Sequence, residues 1–375
     1  MGIMSKNAKK FITDLFEISG ITINGSKPYD ITVHNEDFYN RIVKHGELGL
    51  GESYIDRWWE AGSVDQFIDK ILRKDLEDKV KKNIPLLYSY ILAQIFNRQS
   101  KKRAFQVGEC HYDIGEGLYT RMLDKQMQYT CGYWKNATTL DQAQENKLDL
   151  ICRKLDLNPG MKILELGCGY GAFAKYAAQK YKVHVTGYTV SKDQARFGRE
   201  LNKNLDVDIK FDDYRNAEGL FDRVISIGLM EHVGYKNYRT YMKKVHSTLK
   251  DDGIAFIHTI GNNITKTSTN AWIDKYIFPN GRLPSIRLLG KAMEGMFVVE
   301  DWHNFGEHYD KTLMAWYKNF KDTWPEIEHN YSKRFYRMWE FYLLSCAGGF
   351  RARTIQLWQI IMTKTGKPAP ECRKS

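Results

Sequence analysis

Three residues able to do chemistry stand where apolar segments end. Glu231 follows an apolar run in GLMEHVG, His258 lies near the end of GIAFIHTIG, and Cys131 lies among aromatic residues in MQYTCGYW. A carboxylate and an imidazole can move protons or hold an anion, and a thiol can act as a nucleophile. Cys131 has no base beside it in the sequence and lacks metal-ligand spacing. Its role therefore depends on the elements around it.

Glu231 and His258 also have ordinary structural explanations. A carboxylate there could simply be a charge at a helix end, and a lone histidine on an apolar strand is often a hydrogen-bonded core residue. Parallel sheets bind ligands at the carboxyl ends of their strands, which is where both residues are predicted to lie. Their position therefore favours a function in a cleft.

The segment ILELGCGYGAFAKYAA is the strongest motif. An apolar strand over residues 163–166 runs into three glycines, Gly167, Gly169 and Gly171. Glycines allow a tight turn and a close ligand approach. Phe173 stands where a dinucleotide fingerprint has a further glycine, and no Walker lysine follows. Glu165 suits a cationic amino-acid ligand better than a pyrophosphate, so the motif favours S-adenosylmethionine over NAD, with packing glycines as the remaining alternative.

The next predicted strand, VHVTGYTV, ends without the carboxylate that many such sites use for the ribose hydroxyls. The residues at this end that could hold the cofactor are Thr189, Val190 and, in the next helix, Gln194. Ser191 could be only the N-cap of that helix. After the third strand, Asp213 and Tyr214 could reach the adenine amine and face.

Strand-like and helix-like segments alternate from Lys147 onward. This β-α alternation predicts an α/β fold with a doubly wound, Rossmann-like sheet that is mostly parallel. TIQLWQIIMTK is predicted to form a last, antiparallel edge strand. The region before Lys147 has a different pattern, and we expect a smaller N-terminal α+β domain with a hairpin around Asn24-Gly25.

We predict three divisions of the chain. Residues 1–92 form the small domain, and PLLYSYILAQIFNRQ, which begins near its end, is predicted to be helical. Residues 93–107 form a basic linker, and residues 108–375 form the cofactor-binding catalytic domain. The small domain would deliver a substrate or pair two subunits, and the sequence does not choose between these roles.

Composition limits the classes of protein that remain. The chain has 375 residues and a formal net charge of +11. No apolar run approaches the roughly 18–20 residues of a membrane span, and the first residues lack an apolar stretch of signal-peptide length. The six cysteines lack zinc-site spacing, so we expect no metal and reduced thiols. These observations predict a cytoplasmic protein.

The positive charge is concentrated late in the chain. Residues 311–375 hold 12 Lys or Arg against 5 Asp or Glu. Such an excess favours a polyanion, either nucleic acid or an anionic membrane surface, although charge for solubility explains it equally well.

Several motifs together resemble the cyclopropane-fatty-acyl-phospholipid synthases. They are YTCGYW, ILELGCGYGAF, GLMEHVG, HTIG, YIFPNG, EDWHNFGEHYDKTLMAWY and AGGFRARTIQLWQ. Each motif alone is modest, but their order and joint presence are specific. The likeness covers nearly the whole chain and includes GELGLGESYIDRWW near the N-terminus.

The resemblance implies a methyltransferase that acts on membrane lipid. S-adenosylmethionine would donate a methyl group to the cis double bond of an acyl chain in a phospholipid, and loss of a proton would close a cyclopropane ring. The resemblance implies bound bicarbonate as the base, in a pocket formed by Cys131, Glu231, His258, Ile260 and Tyr309. In this interpretation Cys131 contributes its backbone amide, and a protonated or donor-oriented His258 holds the anion.

The same resemblance extends to the cofactor and the partners. Tyr129 and Thr130 would border the cofactor. The partner would be a phospholipid bilayer surface with unsaturated acyl chains, and the enzyme would be a homodimer attached peripherally to the inner face of the membrane. Basic residues late in the chain, interleaved with Phe335, Trp339, Phe341 and Tyr342, would face the headgroups and admit an acyl chain, unless they form an ordinary core helix.

Three alternatives stay open. The chain could be a related methyltransferase that acts on a small amine or on another lipid, or a lipid-binding protein without catalysis. A nucleic-acid methyltransferase is disfavoured, because enzymes that methylate base amines often carry D/N-P-P-Y/F where this chain reads GLMEHVG. We therefore expect no nucleic-acid partner.

Overall fold

The structure is a computed structural model that describes residues 2–74, 116–266 and 269–374. The helix predicted in PLLYSYILAQIFNRQ, the linker over residues 93–107 and the boundaries at residues 92 and 108 lie outside the described residues. The proposed division into these domains therefore stays a prediction.

The helices, in chain order, are α1 (Gly2–Ile18), α2 (Asp37–Ile55), α3 (Val64–Leu72), α4 (Glu116–Met122), α5 (Leu140–Lys154), α6 (Ala172–Tyr181), α7 (Lys192–Asn202), α8 (Met230–Val233), α9 (Tyr238–Thr248), α10 (Ala271–Tyr276), α11 (Ile286–Met293), α12 (Glu307–Ile327) and α13 (Lys333–Arg351). The strands are β1 (Ile31–Val33), β2 (Trp59–Ala61), β3 (Lys162–Leu166), β4 (His184–Thr189), β5 (Val207–Phe211), β6 (Phe221–Ile227), β7 (Leu249–Gly261), β8 (Val298–Asn304) and β9 (Gln356–Thr363). Short 3-10 turns lie at Tyr214–Asn216, Tyr235–Asn237 and Glu328–Asn330.

The chain divides into two compact units. The helical unit takes Met1–Met122, Ser268–Asn280 and Leu313–Thr354. The sheet unit takes Leu123–Thr267, Gly281–Thr312 and Ile355–Ser375. Each unit therefore draws on segments that are distant in the sequence.

The sheet unit is built on seven strands in the order β5-β4-β3-β6-β7-β9-β8. Strands β3 to β7 pair in parallel, and β9 pairs antiparallel with both of its neighbours. Two apolar cores cover the faces, one including α5 and α6 and the other including α9 and α11. The strand order reverses between β3 and β6, where folds of this kind bind ligands. The predicted doubly wound, mostly parallel sheet is confirmed.

The strand predicted in TIQLWQIIMTK forms as β9, but its predicted place at the edge is wrong. It lies between β7 and β8, and all of its residues are buried. A continuous apolar run is typical of such an interior strand. The edge is β8, where Val298 and Val299 are exposed and the register shifts before Asp301. Charges and irregular pairing protect an exposed edge from further pairing.

The helical unit contains the small antiparallel sheet expected near the N-terminus. Strands β1 and β2 pair over three residues each, beside a core that includes Phe38, Trp59 and Phe67. Helix α13, from late in the chain, packs closely on α3: a Cβ on Gly348 would lie 2.6 Å from the carbonyl oxygen of Asp65. The sequence alone did not place α13 in this unit.

The hairpin predicted around Asn24-Gly25 is wrong. Residues Ile31–Val33 pair with Trp59–Ala61 instead. The turn is organised by Asp30, whose carboxylate accepts two backbone hydrogen bonds at 2.8 and 2.9 Å. Within the described residues, Ile23 forms only an isolated parallel bridge to Ile31, so no antiparallel hairpin results, and the acidic side chain satisfies the remaining loop amides.

Candidate active site

The glycine-rich turn between β3 and α6 has backbone conformations that favour glycine. Gly167, Gly169 and Gly171 have φ angles of +74°, +53° and +79°. A Cβ on Gly169 would meet no atom within 4 Å, whereas one on Gly171 would lie 2.8 Å from Asn202 Nδ2. The turn is thus packed on one side and open on the other, so a ligand can approach its backbone.

Glu165 lies on β3 just before this turn. Its side chain is buried, and its Oε2 has no hydrogen-bond partner within the described residues. Burial raises the pKa of Glu165 to about 8, and the positive charge of Lys147 opposes this shift. A buried carboxylate is stable only when it is paired. Glu165 is therefore suited to a cationic group such as an ammonium.

Lys147, on α5, is a buried cation that the sequence interpretation missed. Its Nζ donates to Gln128 Oε1 and, at 3.0 Å, to Thr130 Oγ1. Burial lowers the pKa of Lys147 to about 8. A signal existed, because Lys147 occupies an apolar helix position between Ala143 and Ile151. The two hydrogen bonds of Lys147 connect the segment before Cys131 to α5.

Thr130 lies beside the end of β6. A Cβ on Gly228 would come within 3.0 Å of Thr130 Cγ2, and Gln144 Nε2 donates to the Thr130 carbonyl oxygen at 2.8 Å. Tyr129 is half-buried next to it in the chain. The segment thus lies at the carboxyl edge of the sheet, although contact of Tyr129 and Thr130 with a cofactor stays a prediction.

The end of β4 brings Thr189 and Gln194 together. Thr189 Oγ1 donates to Gln194 Oε1 at 2.8 Å. Ser191 is the N-cap of α7, as predicted, because its Oγ accepts from the Gln194 amide. Val190 has 71% of its surface exposed. An exposed apolar side chain beside paired polar groups suits the ribose region of a nucleoside, and that role stays a prediction.

Asp213 and Tyr214 follow β5. The Asp213 carboxylate accepts from the Arg215 guanidinium at 2.6 and 2.9 Å, and this pairing lowers the pKa of Asp213. Tyr214 packs edge-on against Tyr241, with ring centroids 5.7 Å apart. Asp213 is thus already paired with a cation, and its predicted contact with adenine would compete with that pair.

Glu231 lies in α8, just past the end of β6. Its Oε1 accepts from the Ile260 backbone N–H at 2.7 Å, and its Oε2 is buried without a partner in the described parts of the chain. Burial raises the pKa of Glu231 to about 7. The structure thus joins Glu231 to Ile260, two residues that were predicted to share one pocket, through the Ile260 amide.

His258 lies on β7, two residues before Ile260 and therefore on the same face of the sheet. Burial and the positive charges of Lys147 and Lys154 hold the pKa of His258 well below its usual range. This shift favours the neutral ring, and the choice between a protonated and a donor-oriented His258 stays a prediction. Its Nε2 is buried and has no partner among the residues described.

Gln359 sets the orientation of His258 and was also missed. It faces His258 across the β7–β9 register, with its Nε2 3.4 Å from His258 Nδ1. With the amide in this orientation its nitrogen donates to Nδ1, which leaves the ring proton to Nε2. A polar residue inside the apolar run of β9 was the available signal. In this orientation His258 can donate through Nε2, as the donor-oriented alternative requires.

Cys131 is buried and takes part in a hydrogen-bonded contact with α12. Its thiol donates to the Gly132 carbonyl oxygen at 3.3 Å, and Thr312 Oγ1 lies 3.9 Å from the sulfur. Burial raises the pKa of the Cys131 thiol far above its ordinary value, so a thiolate is not available. Tyr309 is one turn before Thr312 on α12 and is also buried. These contacts bring the Cys131 segment to the helix that carries Tyr309.

We expect Cys131→Ser to keep nearly all of the turnover. Serine can donate to the same carbonyl oxygen, and a neutral buried thiol has no nucleophilic role to lose. Initial rates and cofactor affinity, measured beside wild type, check this. Complete inactivation with cofactor binding intact would instead make Cys131 a nucleophile.

The basic segment late in the chain is held within the helical unit by ion pairs and by buried aromatic side chains. Its ion pairs with the N-terminal part are Arg334 with Asp56, Arg337 with Glu60, and Arg351 with Asp65. Trp339, Phe341 and Tyr342 are buried, and Phe335 stacks on Trp339 at 5.9 Å. These facts favour the core-helix interpretation. Among the helices that the structure describes, none has the length and apolar character to cross a membrane.

Comparison with known proteins agrees with this geometry. Residues 99–360 match the family model described as mycolic acid cyclopropane synthetase. A solved cyclopropane synthase from Mycobacterium tuberculosis, MmaA2, is 28% identical with a TM-score of 0.65, over 69% of this chain and 98% of that one. Mycolic acid cyclopropane synthase CmaA1, solved with SAH and CTAB, is 31% identical with a TM-score of 0.64, over 70% of this chain and 98% of that one.

One curated relative matches far more of the sequence. The cyclopropane-fatty-acyl-phospholipid synthase of Escherichia coli K12 is 50% identical over 97% of this chain and 95% of its own length. The resemblance inferred from the motifs and the methyltransferase fold are thereby confirmed. With the family model, the solved structures and this relative in agreement, the chain belongs to the cyclopropane synthetase family of methyltransferases.

Proposed function

We propose that this enzyme transfers a methylene group from S-adenosylmethionine to the cis double bond of unsaturated acyl chains in phospholipids, with bound bicarbonate as the general base. One observation carries the proposal. A buried carboxylate oxygen, Glu231 Oε2, and a buried ring nitrogen, His258 Nε2, both lack partners in the described residues at the carboxyl edge of the sheet. An anion with its own hydroxyl group satisfies both.

The residues at the glycine-rich turn fit the cofactor. The Glu165 carboxylate would hold the ammonium group of the cofactor, and the open side of Gly169 would admit the amino-acid part of the cofactor. Thr189 and Gln194 would bind its ribose. When bound, S-adenosylmethionine supplies the carbon that is added to the lipid. The enzyme's own groups position that cofactor and keep water away from it.

The side chains at the reaction site are suited to binding an anion, and the proposed reaction needs no nucleophilic side chain. His258 would donate from Nε2 to the bicarbonate, and Glu231 would accept from the bicarbonate hydroxyl through Oε2. The Tyr309 hydroxyl and the Cys131 amide would complete the pocket. Because an alkene offers no polar handle, catalysis here rests on positioning and on a fixed negative charge near the developing positive charge.

A vesicle assay tests the function. We expect unsaturated phospholipid vesicles to gain one methylene in mass and lose one alkene for each turnover, with a rate that rises when bicarbonate is added. Mass spectrometry and alkene NMR of the extracted lipid measure both changes. A methyl gain with the alkene retained would identify a different methyltransferase, and cofactor binding without any product would identify a lipid-binding protein.

We also propose a phospholipid bilayer as the partner, reached peripherally from the cytoplasmic side. The support is the name of the Escherichia coli relative, cyclopropane-fatty-acyl-phospholipid synthase. The homodimer stays a prediction.

A further inference from the structure

One surface of the sheet unit is formed by three segments that follow strand or helix ends. The segments are 235–239, 262–266 and 282–291, and together we name them the basic surface. Asn262 donates to the Pro284 carbonyl oxygen at 2.8 Å, and Thr265 Oγ1 lies 2.7 Å from Ser285 Oγ. The Arg282 guanidinium lies 4.0 Å from the centre of the Tyr235 ring. The three segments thus form one continuous patch.

The charge of the basic surface has one sign. Its cations are Lys236, Arg239, Lys266, Arg282, Arg287 and Lys291, and the three segments contain no Asp or Glu. This contrasts with the arginines of α13, which are paired with acidic residues. A cluster of six cations within three short segments attracts an anionic surface.

Apolar side chains stand among these cations. Ile264, Ile286 and Tyr235 have 62%, 48% and 43% of their surface exposed. They account for three of the ten large apolar residues that are exposed in the described chain. Apolar side chains flanked by lysine and arginine are typical of surfaces that enter the headgroup region of a bilayer. Nucleic acid would use the cations but would gain little from exposed isoleucines.

The basic surface borders the reaction site. The Arg282 amide donates to the Glu231 carbonyl oxygen at 2.9 Å, and Tyr238 Oη donates to the Arg282 carbonyl oxygen at 3.2 Å. The segment 262–266 begins directly after β7, two residues past Ile260. A ligand carried on this surface would lie close to Glu231.

We propose that the basic surface docks on an anionic phospholipid bilayer. The cations bind the headgroups, and Ile264 and Ile286 enter the apolar boundary, which brings a lipid acyl chain to the carboxyl edge of the sheet. This inference rests on the proposed function, since it names the surface through which that substrate arrives.

The test uses the full-length enzyme and vesicles of phosphatidylcholine and phosphatidylglycerol in equal amounts. The triple variant Lys236→Glu, Arg287→Glu, Lys291→Glu changes exposed residues outside the catalytic pocket. At low salt we expect its vesicle affinity to fall by at least about tenfold, since each cation contributes a several-fold gain at such a surface. Turnover on unsaturated phosphatidylcholine in neutral detergent micelles should stay near wild type.

A matched triple variant, Lys162→Glu, Lys180→Glu, Lys182→Glu, makes the same charge change on exposed residues near the opposite edge and should bind vesicles like wild type. A second variant, Ile264→Ser with Ile286→Ser, should weaken binding at high salt as well. Equal vesicle binding by the two charge variants overturns the inference. So does a charge-dependent loss of duplex DNA binding, or of self-association, without a loss of vesicle binding. Absence of wild-type product in micelles and vesicles alike would instead overturn the proposed function.

Discussion

Glu231→Gln is expected to lower turnover by at least about 100-fold, a loss typical of removing one group that stabilises charge in a transition state. Glutamine keeps the hydrogen bond from the Ile260 amide but places an NH₂ where Oε2 was the free acceptor. The bicarbonate hydroxyl would then meet a donor instead of an acceptor. Initial rates with and without bicarbonate measure the effect, and the bicarbonate dependence should weaken together with the rate.

The same substitution should stabilise the fold above neutral pH. The pKa of Glu231 is about 7 in the folded enzyme, against an ordinary value of 4.5. Between these values the folded state holds a proton that the unfolded state has released, so wild-type stability falls as pH rises from about 5 to about 7 and then levels off. Glutamine does not titrate. The variant should therefore match wild type near pH 5 and exceed it by about 3 kcal/mol at pH 8.

Denaturant unfolding at both pH values measures this difference. Glu145→Gln, on the exposed face of α5, is the matched control and should change neither rate nor stability. Unchanged turnover and bicarbonate dependence in Glu231→Gln would remove Glu231 from the pocket. A stability difference that does not vary with pH would contradict the burial of its charge.

Gln359→Glu should also reduce turnover, by about 100-fold, because it exchanges the donor and acceptor nitrogens of the His258 ring. A carboxylate in place of the amide accepts a hydrogen bond from Nδ1–H, which leaves Nε2 as an acceptor that repels an anion. Gln359→Leu removes the amide without imposing the opposite tautomer, so its loss should be several-fold smaller.

Nitrogen NMR of the His258 ring distinguishes the tautomers, and a kcat profile against pH accompanies it. Gln179→Glu, on the exposed end of α6, is the charge-matched control. If the His258 ring carries its proton on Nδ1 in the Gln359→Glu variant and the variant still turns over like wild type, His258 is not the donor. If the ring becomes doubly protonated and activity survives, the donor role stands but neutrality is not required.

The candidate site was predictable where local sequence decided it. Glu231 and His258 stand at the ends of apolar runs, and strand ends face the ligand crevice in a parallel sheet. The glycine turn was equally local, since its positive φ angles demand glycine. The sheet class followed from the alternation of periodic segments, without knowledge of any contact.

The features that could not be predicted depend on contacts between segments that are far apart in the sequence. Gln359 meets His258 only because β9 inserts beside β7, and nothing near Gln359 in the sequence reports that neighbour. Likewise, the pKa of His258 is lowered first by burial and then by the charges of Lys147 and Lys154, which come from α5 and approach it only in the folded sheet unit. The edge assignment of β9 failed for the same reason, because β8 carries Glu300 and Asp301 in its middle and so lacks the continuous apolar pattern of the other strands.

The interior position of β9 also determines when the sheet can be completed during synthesis of the chain. Strand β7, which carries His258, pairs along one side with β9, and nearly a hundred residues are made between the end of β7 and the start of β9. At ribosomal speeds of about 5–20 residues per second, that side of β7 stays unpaired for several seconds. The nascent chain thus displays an open, apolar strand edge during translation, and the strand of the reaction site becomes complete only after all the other strands of the sheet have emerged.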